Sequence, residues 1–228
     1  MPLFKPLSIP VIYQDKYLMV VNKPQGLMVE EAARGQLSVI RFLKKEFALD
    51  LRGNNILQNV HRLDKPVSGT LLIARKRSVL KVLNEQFASR EIGKTYLAIV
   101  STPPPNPAGE LKHWLIKDEE GKRAKIFDAR TQLSVEVKLT YKTLKEKNGK
   151  TLLEIDLLTG KYHQIRAQLA HIGSPIVGDE KYGSTEKYID NALALHASKL
   201  TFKHPIDGNV MSIEAPTPDD AWWDLFKD

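Results

Sequence analysis

His61-Arg62-Leu63-Asp64-Lys65-Pro66-Val67-Ser68-Gly69 runs directly into Thr70-Leu71-Leu72-Ile73-Ala74. A polar segment with an aspartate near its centre thus ends on an unbroken apolar run, the pattern of a strand covered on both faces. Pro66 and Gly69 constrain the backbone between the two. Rigid loops beside buried strands are common seats for catalytic carboxylates, although a lone aspartate in a charged turn is more often only a solvated residue.

On the amino-terminal side of this loop, Tyr17-Leu-Met-Val-Val-Asn22 reads as a second buried strand that ends at Lys23-Pro24. Ser38 is placed to cap a helix whose apolar side carries Ile40, Leu43 and Phe47. Beyond Ala74, Ser78 is expected to cap a second helix with Val79, Leu83 and Phe87 on one face, followed by a strand over Lys94–Val100. The proline-rich stretch Thr102–Gly109 predicts a surface loop.

After that break, Val135, Val137, Leu139 and Tyr141 alternate with more polar neighbours, as in a half-buried strand. Asn148-Gly149 signals a hairpin into Leu152–Leu157, and Asp207-Gly208 signals another between Leu200–Phe202 and Met211–Ile213. Gln164–His171 reads as a short helix with Ile165, Leu169 and Ile172 inward and Gly173 as its stop. Strands outnumber helices and several are joined by hairpins. The expected class is α+β, with a mixed, largely antiparallel sheet and flanking helices. One domain is expected over residues 1–228.

The 228 residues are 42% hydrophobic and 27% charged, a globular balance that argues against collagen-like or largely disordered chains. The longest apolar run, Tyr17–Val21, is too short to cross a bilayer, so no membrane partner is expected. The start MPLFKPLSIP lacks a basic region followed by an apolar core, and no secretory leader is expected from it. No cysteine is present, which removes thiol nucleophiles, thiolate metal sites and disulfides and fits a cytoplasmic location. The net charge of +7 makes a polyanion a natural partner.

Several local matches fail on spacing. Gly93-Lys94-Thr95 ends like a phosphate-binding loop, but the first glycine would fall on Ala88 and a strand follows in place of a helix. Ser78-Val-Leu-Lys81 has none of the companion motifs of serine acyl enzymes. His163 and His171 lie eight residues apart with no third ligand nearby in sequence, so no metal site is expected. A second polar segment survives this filter. Leu158-Thr-Gly-Lys-Tyr-His-Gln-Ile-Arg166 places a turn at a strand end and then His163 and Arg166 three residues apart on one helix face. Such an arginine can pair with a distant carboxylate or with a phosphate.

HRLDKPVSGTLL, TGKYHQIRAQLAHIGSPIVGDEKYG and YLMVVNKPQGL, with KTYLAIV and LHASKLTFKHP, closely resemble the RluA family of RNA pseudouridine synthases. The resemblance spans about Val11 to Pro216. It implies an isomerase that converts uridine in ribosomal or transfer RNA to pseudouridine without metal or organic cofactor, on a sheet with a central RNA-binding cleft. The family's catalytic aspartate falls on Asp64, its base-stacking tyrosine on Tyr96 and its basic partner on Arg166. Arg62 matches the arginine that in some members displaces the target nucleotide. His61, His163 and Gln164 complete the expected substrate-binding set, His163 and His61 also being suited to bracing roles. Val67 stands where many members have threonine, and Lys161-Tyr162 where Arg-Thr is more usual. Because the resemblance begins almost at once, the small amino-terminal RNA-binding domain that many members carry is not expected here.

Basic clusters at Arg75-Lys76-Arg77, at Lys122, Arg123 and Lys125, and at Lys142, Lys145, Lys147 and Lys150 are candidate phosphate contacts. A monomer is the default expectation. Two other readings compete: a binding module that uses the same fold, and a carboxylate-dependent glycoside or nucleoside hydrolase, for which no second carboxylate is evident.

Overall fold

The computed structural model describes residues 8–31, 35–47 and 55–227. The first seven residues, read above for a leader, lie outside this set. In chain order the elements are β1 (Val11–Gln14), β2 (Leu18–Lys23), α1 (Val39–Glu46), β3 (Asn55–Asn59), β4 (Ser68–Lys76), α2 (Arg77–Ala88), β5 (Gly93–Val100), β6 (Ala108–Asp118), β7 (Arg123–Phe127), β8 (Val135–Lys147), β9 (Lys150–Leu157), α3 (Gln164–His171), β10 (Leu195–Lys203), β11 (Val210–Glu214) and α4 (Ala221–Asp224). The strands form one sheet in the order β1-β2-β4-β10-β5-β9-β8-β6-β7, with β3 also paired to β4 and β11 to β10.

Every strand pairing is antiparallel except β4 with β10. The mixed, largely antiparallel α+β expectation is therefore met. The parallel joint aligns Ser68 with His196 and Gly69 with Ala197. Gly69 has φ +117, and a Cβ there would lie 2.2 Å from the Ala197 carbonyl oxygen. Only glycine fits, because the joint needs both a positive φ and close contact of two backbones.

The unbroken apolar runs of β2 and β4 follow from their central position. Met19, Val21, Leu71 and Ile73 face Val39 and Leu43 of α1. Leu18, Val20, Leu72 and Ala74 face Val79 and Leu83 of α2. With period two, each strand feeds both layers. A third cluster joins Tyr96, Ile99, Leu153, Ile155, Ile165 and Leu169 with Trp223 and Phe226, so the carboxy-terminal aromatic segment packs on the core as a short helix.

Ser38 caps α1 as read, its Oγ accepting the Arg41 N–H at 3.2 Å. Ser78 does not cap α2. β4 runs to Lys76 and the helix starts at once, with Lys76 at its cap and no side-chain cap bond. The proline-rich loop is shorter than read, since Ala108 and Gly109 already open β6, and Pro104 within it is buried. The Asn148-Gly149 hairpin is present, with φ values of +53 and +69 that suit this turn pair.

Candidate active site

Two polar segments meet at the sheet's central joint and form the walls of a cleft of about 1160 Å³. The first is the loop that feeds β4. Leu63 and Val67 are buried, and the Val67 N–H donates to the Asp64 carbonyl at 3.1 Å. Val67 thus has an apolar setting that asks for no hydroxyl. Lys23, at the end of β2, is completely buried. Its Nζ donates to the carbonyls of Pro24 at 2.8 Å, Leu27 at 2.7 Å and Lys65 at 3.1 Å. Burial pulls this ammonium down to a pKa of about 7, against the opposing pull of Asp64. One cation therefore fastens the loop beside Asp64.

The second wall is the turn from β9 into α3. Thr159 and the Lys161 N–H both donate to Gln164 Oε1, at 2.9 and 3.1 Å. Gln164 Nε2 donates to the Lys138 carbonyl at 3.1 Å and to Gln168 Oε1 at 3.0 Å. Gln168 in turn donates to the Leu111 carbonyl at 3.0 Å. Neutral amides thereby satisfy a buried turn and tie it to β6 and β8.

Arg166 joins the two walls. Its Nε and Nη2 donate to Asp179 at 2.7 and 2.8 Å, and its Nη1 donates to Asp64 Oδ2 at 3.2 Å. Arg166 is 6% and Asp179 2% exposed, while the Asp64 side chain stays 27% exposed and open to the cleft. Burial alone would weaken the guanidinium's hold on its proton, but Asp179 first and Asp64 second more than offset this. The Tyr182 ring also lies against the guanidinium, 5.1 Å from its carbon. One cation between two carboxylates leaves a net negative charge, whose open end is Asp64.

Around that carboxylate stand an aromatic and an imidazole. Tyr96, in β5, is 8% exposed and lines the cleft with Asp64 and Arg166. Burial, followed by the charge of Asp64, pushes its phenol well above the usual range, so it presents a neutral ring. His163 adopts φ +52, a left-handed conformation uncommon outside glycine. Its Nε2 lies 3.6 Å from Asp64 Oδ2, and the Tyr162 ring stacks on it at 3.8 Å. Burial holds the imidazole down to about 4, and it is neutral at pH 7.

Of the residues expected from the sequence, Asp64, Tyr96, Arg166 and His163 come together. Arg62 stands at the rim, solvent-exposed, 3.8 Å from Glu30. His61 and Gln164 border the cleft but spend their polar atoms within its walls. His61 Nε2 accepts the Leu72 N–H at 3.1 Å and its ring stacks on Phe87 at 5.0 Å. Burial, with Lys94 second, lowers that imidazole to about 4. The sequence reading passed over Lys23, Asp179 and Tyr182. A buried arginine with one half-exposed partner demands a second anion, and Asp179 in the apolar neighbourhood of Ile176 and Val177 was the signal for it.

Some basic residues of the three clusters are engaged within the fold: Arg75 with the Asp15 carbonyl, Lys125 with Asp118, Lys142 with Glu154 and Lys150 with Glu186. His171 lies apart from His163, at the far end of α3, and shares Asp128 with His113. The ligand atoms of these three lie within 4.8 Å of one another. The trio suits a cation poorly. Gln168 donates to His113 Nδ1 at 3.0 Å, and the amide ladder fixes Gln168 in that orientation, so Nε2 carries the proton.

Comparison with known proteins identifies the family. The family described as RNA pseudouridylate synthase matches residues 17–171. Ribosomal large subunit pseudouridine synthase C of Buchnera aphidicola is 34% identical over 216 residues, and that of Escherichia coli 33% identical over 230. These alignments take in 90% and 92% of this chain but 66% of each relative's length. An uncharacterized RNA pseudouridine synthase of Bacillus subtilis is 30% identical over 221 residues, covering 96% of this chain and 72% of that protein. Among solved structures, human RNA pseudouridylate synthase domain containing 4 superposes with a TM-score of 0.74 at 25% identity, over 92% of this chain and 89% of that one. Human RNA pseudouridylate synthase domain containing 1 shares the fold, with a TM-score of 0.75 at 21% identity, over 92% and 84%. With the family model matched over residues 17–171 and a relative 30% identical over 96% of this chain, the chain belongs to the RNA pseudouridylate synthase family.

Proposed function

We propose that the protein isomerises uridine to pseudouridine in ribosomal or transfer RNA, with Asp64 as the catalytic carboxylate. The observation that carries this reading is the Asp64–Arg166–Asp179 array, in which only Asp64 opens to a cleft that also holds Tyr96. The reaction breaks the bond from ribose C1′ to uracil N1, turns the base and rejoins it through C5. A single carboxylate serves either by attacking C1′ or by taking a proton from the sugar. Arg166 aims it through the hydrogen bond from Nη1. Tyr96 offers the detached uracil a face, a stack worth about 1–3 kcal/mol. Extruding the target costs a few kcal/mol, which Arg62 at the rim is placed to offset by taking the vacated position.

A two-carboxylate hydrolase is disfavoured, because both oxygens of Asp179 are held by Arg166 and that residue is 2% exposed. The reading assigns the enzyme to the cytoplasm, as a monomer, in keeping with its lack of cysteine and a basic charge suited to RNA. Among the described residues no helix is long and apolar enough to cross a membrane.

Tritium release from RNA labelled at uracil C5 tests the assignment. Wild type is expected to release label from unmodified ribosomal or transfer RNA. Asp64→Asn, which preserves shape, is expected to stay folded by circular dichroism and release essentially none. Equal release by the variant overturns the role of Asp64. A silent wild type that still binds RNA supports the binding-module reading.

A further inference from the structure

We propose that Tyr182 and His163 form a tautomer-setting relay that positions Asp64: the Tyr182 hydroxyl fixes the proton of His163 on Nε2, so that an N–H faces the carboxylate. This inference rests on the reading of Asp64 as the catalytic carboxylate, and it concerns residues that hold that group.

The relay begins at a backbone donor. The Ala124 N–H, in β7, donates to the Tyr182 oxygen at 2.6 Å. That oxygen lies 3.0 Å from His163 Nδ1. An amide N–H has no acceptor capacity, so the phenol proton cannot point at Ala124. His163 Nδ1 is the one acceptor that the described residues offer it. If Nδ1 carried a proton instead, two donors would meet at one oxygen and the phenol proton would have no partner. The lower-energy arrangement is Tyr182 O–H donating to an unprotonated Nδ1. A neutral imidazole then carries its proton on Nε2. The ring is neutral, since burial holds its pKa down to about 4.

Geometry aims that proton. Nε2 lies 3.6 Å from Asp64 Oδ2, just outside hydrogen-bond reach. Catalytic hydrogen bonds are often long without substrate and shorten when the site fills. The ring has little freedom to turn away. Tyr162 stacks on one face with an interplanar angle of 17°, and Tyr182 meets the ring edge-on with centroids 5.7 Å apart. Asp64 Oδ2 thus accepts from the charged Arg166 Nη1 at 3.2 Å and faces the neutral His163 Nε2–H at 3.6 Å. The charged groups nearest the ring are Asp64, Arg166, Asp179 and Lys181. Tyr182 acts on the carboxylate only through His163 and is a positioning residue.

Tyr182→Phe tests the relay, and it also removes the acceptor of the Ala124 N–H. It keeps the ring against Arg166 and removes the one hydroxyl. Two readouts are taken on the full chain. First, nitrogen-15 NMR of the histidine side chains reports which ring nitrogen of His163 carries hydrogen, with His163→Gln used for assignment. Wild type is expected to show hydrogen on Nε2, and Tyr182→Phe a mixture of both tautomers. Second, tritium release separates kcat from KM. Weakening one hydrogen bond to a charged group is expected to lower kcat about tenfold with KM little changed. His163→Gln, which still offers an amide N–H, is expected to retain more activity than His163→Phe. Wild type with hydrogen on Nδ1, or Tyr182→Phe with unaltered tautomer and kcat, overturns the relay. An inactive wild type defeats the isomerase reading instead, and leaves the tautomer measurement to decide the relay independently.

Discussion

The loop that carries Asp64 hangs on one buried ammonium, whereas the turn that leads to Arg166 is braced by a ladder of neutral amides. Lys23 supplies the first wall with three hydrogen bonds to backbone carbonyls, one of them next to Asp64. Thr159, Gln164 and Gln168 supply the second wall with bonds within the turn and to β8 and β6. The difference is one of concentration and of charge. A single cation satisfies several acceptors at once but is costly to bury and responds to protons. Amides share the work among several groups and are indifferent to pH.

Lys23→Met should therefore have the largest effect. It leaves three carbonyls without a donor, at about 1 kcal/mol each, for a loss of about 3 kcal/mol in urea unfolding. Tritium release should fall as well, because the Lys65 carbonyl anchors the residue beside Asp64. The pH dependence has a definite sign. Lys23 titrates near 10.5 when unfolded and near 7 in the fold, so between those values the unfolded chain binds more protons. The Lys23 contribution to stability then grows as pH rises. The gap between wild type and variant should widen from pH 7 to pH 9. A constant gap would show that the ammonium is not buried as described.

Gln164→Leu tests the other wall and should cost less, about 2 kcal/mol, since the Lys161 N–H and Gln168 Oε1 lose their partners while the Lys138 carbonyl keeps the Thr159 N–H and Gln168 keeps Leu111. Here the gap from wild type should be the same at pH 7 and pH 9. A larger loss than for Lys23→Met, or one that varies with pH, would reverse the contrast between the walls.

The same contrast explains what the sequence disclosed. The apolar runs of β2 and β4, the Ser38 cap and the Asn148-Gly149 hairpin are local, and each is readable from spacing alone. Asp64, Tyr96 and Arg166 were found by joint motif, not by any property of one residue. Lys23 was missed because a lysine at a strand end ordinarily marks the surface. Asp179 was missed because its meeting with Arg166 arises only when the loop after α3 folds back on that helix, 13 positions apart in sequence. β6 and β7 went unread for a different reason. Of the 11 residues of β6 only Leu111 and Leu115 are buried, which leaves too faint an alternation to detect. Ser78 misled because a good cap residue sat at the second position of a helix that starts directly from β4 without a side-chain cap.

The smallest effect is expected at Tyr162, which closes the second wall over His163. Its hydroxyl donates to the Lys122 carbonyl at 3.1 Å on the exposed side, and Lys117 Nζ lies 5.2 Å from its ring centre. Tyr162→Phe keeps both the stack on His163 and the Lys117 contact and loses one solvent-exposed hydrogen bond. Its cost should be within about 0.5 kcal/mol, with kcat unchanged. Tyr162→Thr, which installs the residue more usual in the family at this place, removes the ring itself. Water then reaches the imidazole, and the burial that holds it near 4 is relieved, so its pKa should move up toward 6.5 in a histidine NMR titration. If Phe and Thr behave alike in that titration, shielding by the Tyr162 ring is not what keeps His163 neutral, and the protection must come from β7 and Tyr182 on the opposite side.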